Sequence, residues 1–329
     1  MPETTRPRML TGERPTGPLH IGHLFGTVAT RVRLQASGVE TFLVVADYQV
    51  ITDREVAGDL RGNVREVVLD YLAAGIDPDA ATIFTHSSVT ALHQLMLPFL
   101  SLVSVAELDR NPTVKSELAD SGRALSGLML TYPVHQAADI LFCHATVVPV
   151  GRDQLPHLEA TRTIVRRFNQ RYGDYFTPPE GLLSEAPTVL GTDGRKMAKS
   201  RGNGIELRAS ADETVRAIRS ARTDSERFIT YDPVGRPEVA NLLLLTSLCT
   251  GLEPEAVADG IGDGGAGRLK EVLADALVAH LAPLRARRAL YAAEPGLVAD
   301  VLERGNAHAN ELADATIRDV RELMGMTYR

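Results

Sequence analysis

The sequence has few cysteines, no tryptophan and no long apolar run. Its 329 residues include two cysteines, Cys143 and Cys249, which lie far apart without a metal-ligand pattern. We therefore expect buried, reduced thiols, because disulfide frameworks and zinc sites need patterned cysteines. No segment approaches the roughly 20 apolar residues of a membrane span, and no secretory signal precedes the first motif. These absences predict a soluble cytoplasmic protein without membrane contact.

A basic surface is also missing. The formal net charge of −7 argues against a protein whose whole surface attracts nucleic acid, but it allows a local site. Two arginine groups, within residues 162–171 and 285–288, could hold phosphates, although solvated helix faces are the commoner explanation. The chain is long enough for one large domain with an appendage, or for two domains.

Apolar runs and helical patterns alternate along the first two hundred residues. Runs at 42–46, 83–88 and 146–151 have the composition of strands, whereas 64–78 and 153–173 have helical spacing. Gly75 and Pro78 supply a helix end. This alternation predicts βαβ units and a parallel sheet, whose ligands bind at the carboxyl ends of the strands. Beyond about residue 205 the pattern predicts helices, with residues 260–267 as a glycine-rich turn.

Residues 14–23, RPTGPLHIGH, form the first motif with chemical content, here called the histidine motif. His20 and His23 lie three residues apart around Gly22. If a helix begins near Gly22, both rings and the free backbone N–H groups of its first turn face one point, which suits a triphosphate. An isolated motif of this kind is more often a surface loop or half of a metal site. The motif alone therefore leaves all three interpretations open.

Residues 191–203, GTDGRKMAKSRGN, form the second motif, here called the lysine loop. Lys196 and Lys199 could place two ammonium groups on a phosphate chain, although such a loop taken alone is a solvated basic segment. The order of the two motifs, about 175 residues apart with α/β patterns between them, resembles the HIGH and KMSKS signatures of class I aminoacyl-tRNA synthetases. Ala198 replaces the usual serine of the second signature.

The intervening sequence resembles the tryptophanyl family of these synthetases. The resemblance rests on Y-P-x-x-Q-A-A-D-I-L and V-P-V-G-x-D-Q-x-x-H within residues 131–162, and it extends from 12 to 325. It implies a Rossmann-like, doubly wound catalytic domain with a helical insertion (1–205) and a smaller C-terminal helical domain on the anticodon side (206–329). The implied activity is activation of L-tryptophan with ATP and Mg²⁺, then transfer to tRNA(Trp), in a homodimer.

The resemblance also assigns roles residue by residue. The implied catalytic residues are His20, His23, Lys115, Lys196 and Lys199. The implied ATP-binding residues are Arg14, Pro15, Thr16, Gly22, His23, Gly151, Arg152, Asp153, Val189, Lys196, Met197, Ala198, Lys199 and Ser200. The implied tryptophan-binding residues are Gln49, Tyr132, Asp139 and Gln154, and no protein ligand set for a metal is implied.

The indole ring has a single polar group, an N–H donor, so its pocket should contain a buried acceptor. The resemblance makes Asp139 that acceptor, whereas without the motif an aspartate paired with an arginine inside a helix would be the first choice. Gln49 occupies a position where the family commonly has histidine near the indole. We hypothesise that it weakens tryptophan-mimicking inhibitors such as indolmycin, which would make this an auxiliary, resistant form.

Three other functions remain possible at this point. A tyrosyl-tRNA synthetase shares the fold and an aspartate in the same segment. A nucleotidyltransferase could use both motifs without tRNA, and its mark would be chemistry independent of amino acids. A silent binding paralogue is a third possibility, although intact His20, His23, Lys196 and Lys199 argue against it.

Overall fold

A parallel five-stranded sheet forms the centre of the described part of the protein. The computed structural model describes residues 6–52, 58–121, 124–151, 154–183 and 188–328. The strands, all parallel and in the spatial order β3-β2-β1-β4-β5, are β1 (Arg8–Glu13), β2 (Glu40–Val45), β3 (Ala81–Thr85), β4 (Val147–Val150) and β5 (Glu180–Leu183). The predicted α/β class with a Rossmann-like parallel sheet is therefore confirmed.

Helices cover the sheet and make up the C-terminal part. Those between the strands are α1 (Ile21–His23), α2 (Ala29–Ala36), α3 (Leu60–Ala74), α4 (Thr90–Gln94), α5 (Met96–Leu100), α6 (Val105–Asp109), α7 (Pro112–Ser121), α8 (Gly127–Leu141) and α9 (Leu155–Tyr172). Those after β5 are α10 (Ala211–Ser220), α11 (Pro237–Thr250), α12 (Pro254–Ile261), α13 (Gly265–Ala293) and α14 (Leu297–Leu323). A π-helical turn, Leu24–Val28, joins α1 to α2. Short 3₁₀ turns occur at Asp47–Thr52, His86–Ser88, Lys199–Arg201 and Gly262–Gly264.

The strand order places a switch point at the centre of the sheet. From β1 the chain moves to β2 and β3 on one side, and it later returns to β4 and β5 on the other. Crossovers that leave in opposite directions open a crevice at the carboxyl ends of the central strands, where ligands of such folds bind. The histidine motif follows β1 and Gly151 follows β4, so both flank this crevice.

Both faces of the sheet are covered by apolar side chains. Alternate residues of β2 enter different clusters, because successive side chains of a strand point to opposite faces. Leu43 and Val45 pack with α3 and the C-terminal helices, whereas Phe42 and Val44 pack with α4, α8 and α9. This two-sided burial explains why β2 is a continuous apolar run.

The last helix, α14, returns to the sheet and covers the edge strand β3. Asn306 accepts a hydrogen bond from the backbone N–H of Thr85 at 2.9 Å, which satisfies a donor that an open edge would expose. A Cβ at Gly305 would lie 1.8 Å from the carbonyl oxygen of Ile83. Only glycine therefore lets the helix approach the strand so closely.

The arginines of α13 bind α3. Arg288 donates to Asp70 at 2.7 Å, and Arg287 donates to the carbonyl oxygen of Ala73 at 2.9 Å. These two arginines therefore connect α13 to α3. The sequence had suggested either phosphate binding or a solvated helix face for them. The boundary between residues 205 and 206 stays a prediction.

Several smaller expectations are confirmed. Gly75 ends α3 in the left-handed conformation at φ 108°, and residues 260–267 include the turn between α12 and α13. Cys143 and Cys249 are both free thiols, but only Cys143 is buried as expected, whereas Cys249 is partly exposed. Within the described ranges, no helix is long and apolar enough to cross a membrane.

Candidate active site

The histidine motif and the lysine loop meet over the carboxyl end of β1. Ile21 donates its backbone N–H to Ile205 at 2.9 Å, and Leu207 donates to Leu19 at the same distance. The ammonium group of Lys199 donates to the carbonyl oxygen of Arg14 at 3.2 Å. The two motifs therefore line one site although they are distant in sequence.

A helix begins inside the histidine motif, as its sequence suggested. α1 starts at Ile21 with His20 in the extended N-cap position. The His20 backbone N–H donates to Nδ1 of His23 at 3.1 Å, and the two ring centroids are 3.8 Å apart. A Cβ at Gly22 would lie 3.0 Å from the His20 ring and 3.4 Å from Met197 Sδ. Gly22 therefore allows the two motifs to pack, whereas Gly17, at φ +149° with open space beside it, leaves the backbone approachable.

Both histidines are uncharged at neutral pH. Burial, together with the nearby charges of His23 and Lys199, lowers the pKa of His20 to about 3. Burial and Lys199 likewise lower the pKa of His23 to about 4, although Glu13 opposes the shift. Burial also lowers the pKa of Lys199, against the attraction of Glu13 and Asp70. The histidines therefore offer this site hydrogen bonds, and the lysine offers positive charge.

Glu13, Arg31 and Tyr71 form a buried support beneath the histidine motif that the sequence did not indicate. Arg31, 2% exposed, donates to Glu13 at 2.9 Å and to the Tyr71 hydroxyl at 3.1 Å. Burial alone would raise the pKa of the Glu13 carboxyl. The combined effect of Arg31, His23 and Lys199 is larger and opposite, so the pKa is lowered overall. The Glu13 carboxylate is 3.9 Å from Nε2 of His23. It therefore fixes negative charge behind the two motifs.

Asp70 on α3 holds the histidine motif from the other side. Its Oδ2 accepts from the backbone N–H of Leu19 at 2.8 Å, and its Oδ1 accepts from Arg288 of α13 at 2.7 Å. Asp70 is fully buried. One carboxylate thus connects the helical C-terminal part to the turn that precedes His20.

The lysine loop is shaped by Asn203. Its side-chain oxygen accepts from the backbone N–H of Ala198 at 2.9 Å, and its amide donates to Asp193 at 2.7 Å. The carbonyl oxygen of Val189 accepts from the backbone N–H of Met197 at 3.1 Å. Met197 is buried whereas Lys196 is exposed. The loop therefore points Lys199 inward and Lys196 toward solvent.

A second group of polar side chains lies on α8. The Tyr132 hydroxyl donates to Gln49 at 3.4 Å. Asp139, two turns further along and 2% exposed, lies 2.9 Å from Nε2 of His86. Among the described residues this contact with a histidine takes the place of the arginine pair that was the alternative. Gln136, on the same face, has a buried Oε1 without a hydrogen-bond partner in the described structure, and the sequence assignment omitted it.

The remaining predicted site residues have fewer described contacts with the two motifs and with α8. Pro15 is buried and Thr16 donates its backbone N–H to Arg14. Gln154 caps α9 and donates its backbone N–H to Gly151 at 3.0 Å. Lys115 is exposed on α7, one turn beyond Asn111, whose amide lies 3.5 Å from His157 beneath Tyr132. Arg152, Asp153 and the side chain of Ser200 lie outside the described residues.

Sequence and structure comparisons agree with this arrangement. Residues 2–282 match the family model described as tRNA synthetases class I (W and Y). The tryptophan–tRNA ligase of Lactococcus lactis is 39% identical over 98% of this chain and 99% of its own length. That of Treponema pallidum is 41% identical over 98% of both chains. The tryptophanyl-tRNA synthetase of Campylobacter jejuni, solved with ADP and tryptophan, superimposes with a TM-score of 0.82 at 29% identity, covering 97% of this chain and 99% of that one.

Two signature segments, the histidine motif and the lysine loop, meet above the central switch point of the sheet. This arrangement defines a class I synthetase architecture. The chain belongs to the class I tRNA synthetases for tryptophan and tyrosine, and within them to the tryptophanyl-tRNA synthetases. The solved tyrosyl-tRNA synthetase of Archaeoglobus fulgidus shares the fold at 22% identity and a TM-score of 0.66. The comparisons thus favour the tryptophanyl assignment over the tyrosyl alternative.

Proposed function

We propose that this chain activates L-tryptophan with ATP, releases pyrophosphate and transfers the tryptophanyl group to tRNA(Trp). The observation behind this proposal is the contact between Lys199 and Arg14, because it joins the lysine loop to the histidine motif over the switch point. The curated relatives over the full length of the chain are tryptophan–tRNA ligases, which supports the same substrate here.

Activation requires the tryptophan carboxylate to attack the α-phosphorus in line while pyrophosphate leaves. No covalent bond to the enzyme forms, so catalysis comes from positioning and from cations placed where negative charge develops. Lys199, held inward beside His20 and His23, supplies that charge at the phosphates. Lys196 at the exposed rim contacts the outgoing pyrophosphate. The uncharged histidines and the first N–H groups of α1 bind phosphate oxygens by hydrogen bonds.

Magnesium enters with the triphosphate. Glu13, whose charge acts on Lys199, is already bound to Arg31, and the described residues hold no group of three or more metal-ligating side chains between the two motifs. We assign its ligands to the phosphates and to the water molecules that this cation usually keeps. The protein's own share of the charge then comes from Lys199 and Lys196.

Tryptophan lies against α8 in this proposal. Asp139 accepts the indole N–H, and Tyr132 and Gln154 contact the end that has the amino group. Gln49 lines the same pocket through its contact with Tyr132. A site that binds a polar substrate group rejects analogues without it by ~10⁴ or more, because its own buried group would lose its partner. Phenylalanine is therefore excluded.

The larger assembly is also part of the proposal. We assign residues 206–329 to a helical domain on the anticodon side of the tRNA, and we expect a cytoplasmic homodimer as in the family. Asp70 gives this domain a direct connection to the active site through Arg288 and Leu19.

Aminoacylation of total tRNA with each radiolabelled amino acid tests the reaction, the substrate and the partner together. The proposal expects charging with tryptophan alone. Charging with tyrosine, or ATP–pyrophosphate exchange that needs no amino acid, would replace it with one of the two alternative activities.

A further inference from the structure

Three histidines surround Asp139 in a buried group, here called the histidine cluster. Its members are His86 after β3, His93 on α4 and His135 on α8, one turn before Asp139. The ring centroids of His86 and His135 are 4.8 Å apart, and those of His93 and His135 are 5.1 Å apart. His86 is 0% exposed and His135 is 5% exposed. Such a group needs a physical explanation, because buried imidazoles require partners.

Asp139 depends on this cluster for its charge. Burial alone would raise the pKa of its carboxyl. The combined effect of His86, His135 and His93 is larger and opposite, so the pKa is lowered overall. Its Oδ1 lies 2.9 Å from Nε2 of His86, and neither atom has a hydrogen bond of good geometry to any described residue, so this close contact is the one that each atom makes. A buried carboxylate without such a partner would lose its charge rather than stay ionised.

Two of the three histidines are fixed in uncharged forms by a chain of hydrogen bonds. A carbonyl oxygen only accepts, so Nε2 of His93, 2.7 Å from the His86 carbonyl oxygen, must donate. Nδ1 of His93 then accepts from Nε2 of His135 at 3.0 Å. Burial, with the charge of His86, lowers the pKa of both His93 and His135, although Asp139 opposes the shift at both and Asp47 also does so at His93. His86 is therefore the member of the cluster whose Nε2 faces Asp139.

One oxygen of Asp139 stays available to a ligand. Oδ1 is fully buried against His86, while 3% of the side chain remains exposed. The contact with His86 thus occupies one oxygen and leaves Oδ2 as the acceptor that a substrate can reach. Tyr132 and Gln136 share this face of α8, at seven and three residues before Asp139, which is the helical spacing of one face.

We propose that His86 is a positioning residue for tryptophan recognition, which binds Oδ1 of Asp139 and directs Oδ2 at the indole N–H. This inference rests on the proposed function, which assigns Asp139 to the indole. His86 acts through the aspartate and does not touch the substrate. Its contact with Oδ1 favours the ionised form of this buried acceptor.

The test compares His86→Leu and His86→Gln with the wild type in tryptophan-dependent ATP–pyrophosphate exchange. The substrates are tryptophan and 3-benzothienylalanine, in which sulfur replaces the N–H group. We expect His86→Leu to raise KM for tryptophan by roughly 10- to 100-fold, the range of hydrogen bonds to charged groups, with KM for ATP unchanged. The preference for tryptophan over the sulfur analogue should shrink by the same factor. His86→Gln keeps a hydrogen-bond donor, so its KM for tryptophan should lie between those of the wild type and His86→Leu.

The pH profile separates this role from a merely structural one. Without His86 the pKa of the Asp139 carboxyl rises, so the acid limb of kcat/KM for tryptophan should move to higher pH in His86→Leu. His308→Gln, whose side chain on α14 is 46% exposed, is the matched control and should retain the wild-type profile. A far-ultraviolet spectrum and a melting curve establish that each variant is folded, and His86→Gln provides the comparison if His86→Leu is not.

Several results would overturn the inference. One is an unchanged tryptophan preference in folded His86 variants, and another is an equal loss for tryptophan and its sulfur analogue. A third is stoichiometric zinc in the purified protein, because His86, His135 and Asp139 could also hold a metal ion, which would then replace the proton. A wild type that fails to use tryptophan would overturn the proposed function as well, whereas the first two results leave that function intact.

Discussion

The two histidines of the histidine motif are uncharged because their surroundings exclude water and already contain a cation. His23 is 18% exposed and lies beside Lys199 and Glu13. Proton uptake by its ring is therefore delayed until about pH 4, whereas an exposed histidine takes its proton near pH 6.5. A histidine with such a lowered pKa makes the stability of the folded state depend on pH.

His23 makes the folded state less stable in acid. Between pH 6.5 and about 4 the unfolded chain binds a proton at His23 that the folded chain does not, so stability falls as the pH drops through that range. As the pH drops through this interval, we expect the free energy of unfolding of His23→Asn to fall by about 3 kcal/mol less than that of the wild type. This figure follows from the pKa shift of His23 at roughly 1.4 kcal/mol per pKa unit. Urea unfolding at several pH values measures the difference, in which the carboxylates that do not interact with His23 cancel. Parallel curves for both proteins would contradict it.

Gln49 is the residue through which inhibitor binding should change. It is 7% exposed and accepts from the Tyr132 hydroxyl, so its side chain faces the proposed tryptophan pocket. We expect Gln49→His to lower the inhibition constant of indolmycin at least tenfold. Competition against tryptophan in the exchange assay gives that constant, and equal values for both proteins would end the hypothesis of a resistant form.

Motifs predicted some residues of the site and could not predict others. His20, His23 and Lys199 stand in short segments of recognisable order, and the structure brings them together. Glu13, Arg31 and His86 have no such pattern, because a single polar residue in a strand end or helix shows its partner only when the chain is folded. Gln136 stood inside a quoted motif and could have been assigned from its position one turn before Asp139.

At the scale of elements, α14 covers the edge of the sheet that β3 forms. Its Asn306 binds the backbone of β3, and Gly305 brings the helix backbone against the same strand. Edge strands with unpaired N–H and C=O groups promote association between chains, and covering one with a helix prevents this.

Gly305→Ala should separate α14 from β3. The added methyl group would overlap the Ile83 backbone, so we expect a loss of about 1–3 kcal/mol in the free energy of unfolding. Gly267→Ala on α13 is the matched control, since a Cβ there meets nothing within 4 Å. It should stabilise the protein by about 0.5–1 kcal/mol through helix propensity. Chemical denaturation of both variants decides, and a neutral Gly305→Ala would contradict the packing argument.

The elements that the sequence predicted are those with strong periodicity. β2, α3 and α9 have clear apolar patterns, and each appears close to its predicted range. β5 was not predicted, because its residues are mostly exposed and its pairing with β4 fixes its conformation. The contact of α14 with β3 joins residues more than two hundred positions apart, and local pattern contains no information about such pairs.

At the scale of the whole molecule, Asp70 connects the helical C-terminal part to the histidine motif. Arg288 on α13 and the Leu19 backbone share its two oxygens. Removing one partner of a buried ion pair leaves an uncompensated charge, which is more costly than losing an exposed pair. Any shift of α13 is therefore transmitted to the residue before His20.

Arg288→Met tests this coupling. We expect the free energy of unfolding to fall by about 3–5 kcal/mol, with a raised KM for ATP because Asp70 no longer holds Leu19 in place. Arg268→Met on the same helix, where the side chain is 59% exposed, should change stability by less than about 0.5 kcal/mol. Equal effects of the two substitutions on stability and on KM would show that Asp70 does not need Arg288.

The central claim is that the histidine motif and the lysine loop act on one nucleotide beside a tryptophan pocket. Tryptophan-dependent ATP–pyrophosphate exchange by Lys199→Met is its most direct test, with Lys270→Met on α13 as the control. Exchange should fall at least ~100-fold in Lys199→Met, the effect of removing one group that stabilises developing charge, while tryptophan binding without ATP stays unchanged and the control retains its activity. Undiminished exchange by a folded Lys199→Met would contradict the claim.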